Sequence, residues 1–198
     1  MKRKTDQEIE AIADKARAFF DLGPSDHVEF DVDLYVEKLG ADLVPGNKLL
    51  DLIGIDSFWT KGFTELHIDK AIYLSTNNMR WRFTIAHELG HYFLHKEKEN
   101  NLGIHDWFEF QINNHNERNT EEQEANLFAS YFLISKSCLE KEIDNLLLKN
   151  EVPVLKQAGM SEKDISFYFS SELASIFAVS VQSMEIRIEK YWLKSYKK

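Results

Sequence analysis

Only one cysteine, Cys138, occurs in the 198 residues, so no disulfide can close within the chain. Long apolar runs are missing as well. The basic start Met1-Lys2-Arg3-Lys4 leads into Thr5-Asp6-Gln7-Glu8, so neither a signal peptide nor a membrane anchor is expected there. Positive charge is in deficit, with 24 Lys and Arg against 33 Asp and Glu, and the net charge of -9 argues against broad attachment to nucleic acid or anionic membrane. Neither repeats nor a disordered composition is present. These absences together predict a cytoplasmic location. At 198 residues and 43% hydrophobic content the chain can bury one good core, so one compact unit with a small helical appendage is expected.

Apolar positions at helical spacing predict a first amphipathic helix from Asp6 to about Leu22, stopped by Gly23-Pro24, and a short second helix from Val32 to Gly40. Three β-like segments follow: Ala41 to Pro45, Ile53 to Thr60, and Phe63 to Ser75, the last broken near Asp69-Lys70. Lys61-Gly62 suits a hairpin turn. A polar loop is expected from Lys96 to Asn119, with a short element around Trp107 to Ile112. The next helix is expected to begin near Asn119 or Thr120, with helices over Ser137 to Lys149 and Glu162 to Lys190 and breaks at Pro153 and Gly159. The fold class is α+β.

The chemistry concentrates in Trp81-Arg82-Phe83-Thr84-Ile85-Ala86-His87-Glu88-Leu89-Gly90-His91. Trp81, Ile85, Leu89 and Phe93 make an apolar stripe, Asn77 and Asn78 offer N-cap side chains, and the histidines fall on another face. Residues four apart on a helix share a face, so His87 and His91 can present two imidazoles to one metal with Glu88 beside them, the His-Glu-x-x-His pattern of zinc hydrolases. A small sheet ahead of this helix gives a substrate strand an edge to lie along.

A third ligand is needed. The His-x-x-Gly-x-x-His continuation fails, because Leu94 and Glu97 stand where Gly and His are required. A carboxylate from the following helix is the other common solution. At about 100° per residue, Glu121 and Glu122 lie near the edges of the stripe Ala125, Phe128, Ala129, Phe132 and Leu133, while Glu124 points to solvent. Glu122 is the choice, with Asn126 one turn later placed to orient a ligand. Its competing role is the third position of a capping box begun by Asn119. His95 falls roughly 6 Å further along the axis than His91, which suits a supporting role. His67, His105 and His115 are candidate substrate or transition-state contacts whose competing reading, as ordinary exposed histidines, is favoured, and Tyr73 and Tyr131 are candidate oxyanion donors.

Arg82 to His95 and Glu122 to Leu133, taken in order, resemble the ImmA/IrrE metallopeptidases, with similarity running upstream to about Asp31 and downstream to the last helices. The resemblance implies a zincin-like, gluzincin-type core at residues 1–135 and a helix-turn-helix-like helical region at 136–198 packed on it. It also implies Zn2+, or another divalent ion such as Mn2+, held by His87, His91 and Glu122, with Glu88 catalytic. The implied substrates are helix-turn-helix repressors or antitoxins, cut at one site. Leu133-Ile134-Ser135-Lys136 departs from the Leu-Leu-Met-Pro often found there, which touches the following turn and not the metal ligands.

Zinc acidifies its bound water, and Glu88 is placed to take the proton and deliver it to the leaving amine. A regulator without peptidase activity and a general zinc peptidase are the alternatives. Leu173 to Ile188, with a turn at Ala178 to Ser180, resembles a helix-turn-helix, yet Glu185 and Glu189 offset Arg187 and Lys190, so direct DNA binding is not expected.

Overall fold

In the computed structural model, the structure describes residues 3–28, 31–49, 51, 55–75, 78–101 and 115–195. The chain opens with α1, Asp6–Phe19, started by a capping box in which Thr5 caps Glu8 and the Glu8 carboxylate accepts from Thr5 N at 2.7 Å. The helix ends short of Leu22 because Asp21 turns left-handed, at φ 62°, and Leu22 N–H returns to Arg17 O at 2.9 Å. Helix α2, Asp33–Lys38, precedes the sheet.

Strands β1 (Asp42–Gly46), β2 (Ser57–Trp59) and β3 (Glu65–Asp69) form one sheet in the order β1-β3-β2, with β1 parallel and β2 antiparallel to β3. The hairpin between β2 and β3 differs from the two-residue turn expected at Lys61-Gly62. Thr60 N–H bonds Glu65 O at 2.9 Å, leaving 61–64 as the connection, with Gly62 at φ 95° and Phe63 at φ 59°. A left-handed phenylalanine costs about 1–2 kcal/mol. Burial of its ring against Trp59 and Tyr92, at centroid distances of 5.4 and 5.6 Å, offsets that cost. The expected strand to Ser75 also stops early. Asp69 accepts from Ala71 N at 2.8 Å and caps α3, Lys70–Tyr73.

The segment expected as a loop from Lys96 to Asn119 is helical at both ends. Helix α4 runs from Asn78 to Asn100 and helix α5 from His115 to Leu133, so Asn119 is interior to α5 and cannot cap it. Asn77, His105 and the Trp107–Ile112 segment lie outside the described residues. Five helices complete the chain: α6 (Lys136–Leu147), α7 (Val152–Gln157), α8 (Glu162–Tyr168), α9 (Ser170–Phe177) and α10 (Val181–Ser195). The architecture is mixed α+β, as expected. Pro153 opens α7 instead of breaking a helix, since proline at a first-turn position forfeits no helical hydrogen bond.

Helix α5 packs against both α1 and α4. Phe128 and Phe132 stack at 5.8 Å, and Phe20, Tyr35 and Phe93 close around them. One buried apolar cluster extends from Ile9 to Ile188 and so crosses residue 135. Two buried arginines bind the parts together. Arg17 donates to Phe132 O at 2.7 Å, and Arg187 of α10 donates to Ile134 O at 2.9 Å and to Glu10 at 3.1 Å while stacking over Tyr131.

Candidate metal centre

The helix pair α4 and α5 places the site. Gly90 lies between the two histidines, and a Cβ there would come within 3.0 Å of Ala125 Cα and 3.1 Å of Ala125 O. Glycine is the side chain that lets α4 approach α5 at this level. The approach brings Glu122, one turn before Asn126, across to the histidines.

Among the described residues, His87, His91 and Glu122 form a group able to hold a metal ion. His87 Nε2 and His91 Nε2 are 3.1 Å apart, and the Glu122 oxygens lie 3.1 Å from the first and 3.5 Å from the second. Tetrahedral coordination at bonds of about 2.0–2.2 Å separates ligand atoms by about 3.3–3.6 Å, so these spacings fit a divalent ion with little rearrangement. Burial alone would raise the Glu122 carboxyl, but the contacts to His87 and His91 hold it well below the usual carboxylate range.

The surrounding partners fix where the protons sit. Asn126 Oδ1 is 3.0 Å from His87 Nδ1, and an amide oxygen only accepts, so Nδ1 carries the proton and Nε2 offers its lone pair. On the other side, burial and the neighbouring His91 push the pKa of His95 down to about 3, which keeps that ring neutral. Its Nε2 lies 3.2 Å from Glu124 and therefore donates to it, and its Nδ1, 3.1 Å from His91 Nδ1, accepts. His91 is thus also protonated at Nδ1 and turns Nε2 toward His87 and Glu122. A divalent ion would take two imidazole lone pairs and the carboxylate here; without one, a proton on a ring Nε2 is what holds Glu122 low.

Glu124 is buried, at 4% exposure, contrary to its expected solvent-facing place. The second packed face of α5 accounts for this. Lys4, just ahead of α1, donates its backbone N–H to Glu124 Oε1 at 2.7 Å, and its ammonium lies 3.5 Å from Oε2. Burial would raise the Glu124 carboxyl, yet the bonds from Lys4 and His95 bring it below its ordinary value. Lys4, Glu124 and His95 therefore form a line of support behind His91.

Glu88 is 5% exposed and accepts a 2.6 Å hydrogen bond from Ser57 Oγ, while its backbone carbonyl accepts from Trp59 Nε1 at 2.8 Å. Ser57 was not singled out from sequence. Its signal was period two: Ser57 and Trp59 share a face of β2, and that face meets Glu88. Other candidates make contacts of their own. Tyr131 is buried, with its hydroxyl donating to Asp6 at 3.4 Å and its pKa raised by burial, so it serves the α1 interface and not an oxyanion. Tyr73 packs edge-on against Trp81, and His67 pairs with Glu65 at 2.9 Å. His115 begins α5.

Residues 54–189 match the family model described as the IrrE N-terminal-like domain, Peptidase_M78. No curated protein matches the chain. The matched stretch holds Ser57, His87, Glu88, His91 and Glu122 and most of α10, and begins downstream of Asp31, where the motif similarity was expected to start.

Proposed function

The chain belongs to the IrrE N-terminal-like, M78 family of peptidases, and on that premise we propose that it is a cytoplasmic zinc endopeptidase that cuts a helix-turn-helix repressor or antitoxin at one site. The convergence of His87 Nε2, His91 Nε2 and the Glu122 carboxylate beside Glu88 carries this reading. It is the ligand chemistry of a gluzincin, the core we assign to residues 1–135, with 136–198 as a helical region packed on it. Zinc, or Mn2+ in its place, supplies Lewis-acid polarisation of the scissile carbonyl and a stronger acid in water. Glu88 accepts the proton of the attacking water and returns it to the leaving amine. Ser57 holds one oxygen of that carboxylate and leaves the other to move the proton. Strand β2 is a sheet edge among the described residues, and its register with β3 turns the backbone groups of Ser57 and Trp59 outward, where a peptide strand can pair.

The choice of a repressor or antitoxin as substrate rests on the resemblance of the two motifs. Direct DNA reading is disfavoured by the use already made of Arg187 and Lys190 on α10. Arg187 is buried on Ile134 O and Glu10, and Lys190 pairs with Asp6 at 2.6 Å. No helix among the described residues is long and apolar enough to cross a membrane.

Native mass spectrometry of protein purified without chelator tests the centre, with Glu122→Ala alongside. One zinc per chain, weakened in the variant, supports it; a wild type that takes no metal after zinc addition refutes it. Incubation of the zinc-loaded protein with the product of a neighbouring helix-turn-helix gene then tests the substrate. A single cut absent with Glu88→Gln is expected, and indiscriminate degradation of unrelated peptides would instead mark a general peptidase.

A further inference from the structure

The two histidines of the centre are backed by different partners. His87 rests on the neutral amide of Asn126. Behind His91 stands His95, one turn further along α4, with the ring centroids 5.2 Å apart and the planes tilted by 55°. With Nε2 turned to a metal, the His91 ring keeps its proton on Nδ1, so His95 Nδ1, 3.1 Å away, is the acceptor. His95 Nε2 then carries a proton and donates to Glu124 Oε2 at 3.2 Å. The side chains of His95 and Glu124 are 3% and 5% exposed. The row ends on Lys4, in the segment ahead of α1. Its backbone N–H occupies Glu124 Oε1 at 2.7 Å, and its ammonium reaches Glu124 Oε2 at 3.5 Å and the carbonyl of Leu94 on α4 at 3.4 Å. Lys4 thus ties α5 to α4 at the level of His95, and it does so from outside residues 54–189, where the family match runs.

We infer that Glu124 and Lys4 are positioning residues of the metal centre, acting through His95 on His91, so that the segment ahead of α1 sets how firmly the ion is held. The inference rests on the metal site of the peptidase reading above. A carboxylate accepting at the far end of the two-ring row enriches His95 Nδ1, which in turn makes the His91 ring a stronger donor through Nε2 and fixes its rotation. Stability alone does not account for these groups, because apolar side chains of similar volume replace a buried ion pair with little loss or with gain. The use of the pair lies in the ligand it orients.

Zinc affinity by chelator competition and the visible spectrum of the cobalt-loaded protein test this in the full-length chain. Both are read well below the melting temperature of each metal-free variant, so only folded protein is compared. Glu124→Gln keeps the shape but turns an amide NH2 onto one of the two donors. It should bind zinc about 10–100-fold more weakly and shift the cobalt ligand-field bands. Lys4→Met, at a side chain 23% exposed, removes the ammonium, keeps the backbone N–H and should move both readouts the same way by less. It decides the matter if Glu124→Gln fails to fold. Lys190→Met breaks a different ion pair of the N-terminal helix, that with Asp6, and should leave both readouts unchanged. Wild-type zinc affinity in Glu124→Gln, a loss of affinity with unmoved cobalt bands, or an equal loss in Lys190→Met overturns the assignment and leaves the metal centre standing. Unchanged readouts in Lys4→Met overturn the part given to Lys4. A wild type that binds neither ion removes the centre itself, and the inference with it.

Discussion

Gly90 of α4 faces Ala125 of α5 so closely that an added methyl would sit 3.0 Å from the Ala125 Cα. Glycine inside a helix costs about 0.5–1 kcal/mol relative to alanine, so propensity alone favours Gly90→Ala. Overpacking against backbone costs about 1–3 kcal/mol and wins. The variant should melt lower than wild type. Because Ala125 is three residues beyond Glu122, zinc affinity measured by chelator competition should fall as well. A variant with raised Tm and unchanged zinc affinity would show that the helices part freely and that the close approach does not set the centre.

Ser57 and Glu88 form the second coupled pair. Glu88→Gln keeps a side chain of the same shape and should retain zinc while turnover drops by about 10²–10⁴-fold. Ser57→Ala removes a hydrogen bond to a carboxylate, an interaction of about 1.5–3 kcal/mol, so turnover should fall by roughly tenfold or more with zinc content unchanged. Combining the two should add nothing to Glu88→Gln alone. Additive losses would mean that Ser57 acts on substrate by a separate route.

The helix bearing His87 and His91 was legible because four-residue spacing and an apolar stripe are both local, and Glu122 followed from the same rule on the next helix. What escaped were consequences of helices meeting. Angular spacing alone gives α5 one buried face and leaves Glu124 in solvent, whereas α1 covers a second face and brings Lys4 to it. Asn119 looked like a cap because helix boundaries are the weakest inference from pattern, and α5 begins at His115. Ser57 lies in a three-residue strand, too short for alternation to stand out, and only the β2 to α4 contact reveals its partner.

Arg187 separates two roles for the C-terminal helix. In the structure its guanidinium is 1% exposed and bonded to Ile134 O and Glu10. Burial lowers its pKa, and the Glu10 charge opposes that shift. Arg187→Ala should therefore destabilise the fold by about 1–3 kcal/mol, the cost of taking the donor away from the buried Ile134 carbonyl. Chemical denaturation measures this. A variant of wild-type stability that instead loses salt-dependent affinity for operator DNA would reassign α10 as a recognition helix.

His95 gives the chain a pH dependence of defined sign. Folded, its pKa lies at about 3, lowered first by burial and then by His91, against an ordinary value of 6.5. Below about pH 6.5 the unfolded chain takes up a proton at this position that the folded chain refuses, so stability falls as the pH is lowered toward 3. Above 6.5 this residue contributes no slope. Glu122 and Glu124, both held below their ordinary values, add their own losses from about pH 4.5 downward, which leaves the interval between 4.5 and 6.5 free of those two carboxylates. There the His95 contribution approaches at most about 1.4 kcal/mol per pH unit. His95→Gln keeps a donor for Glu124 and an acceptor for His91 Nδ1–H but has no proton to gain. In chelator-treated protein the wild type should lose stability more steeply than this variant from pH 6.5 to 4.5, and the two should run parallel above 6.5. Parallel curves throughout would mean that His95 charges within the fold, and the tautomer assigned to His91 through it would fall.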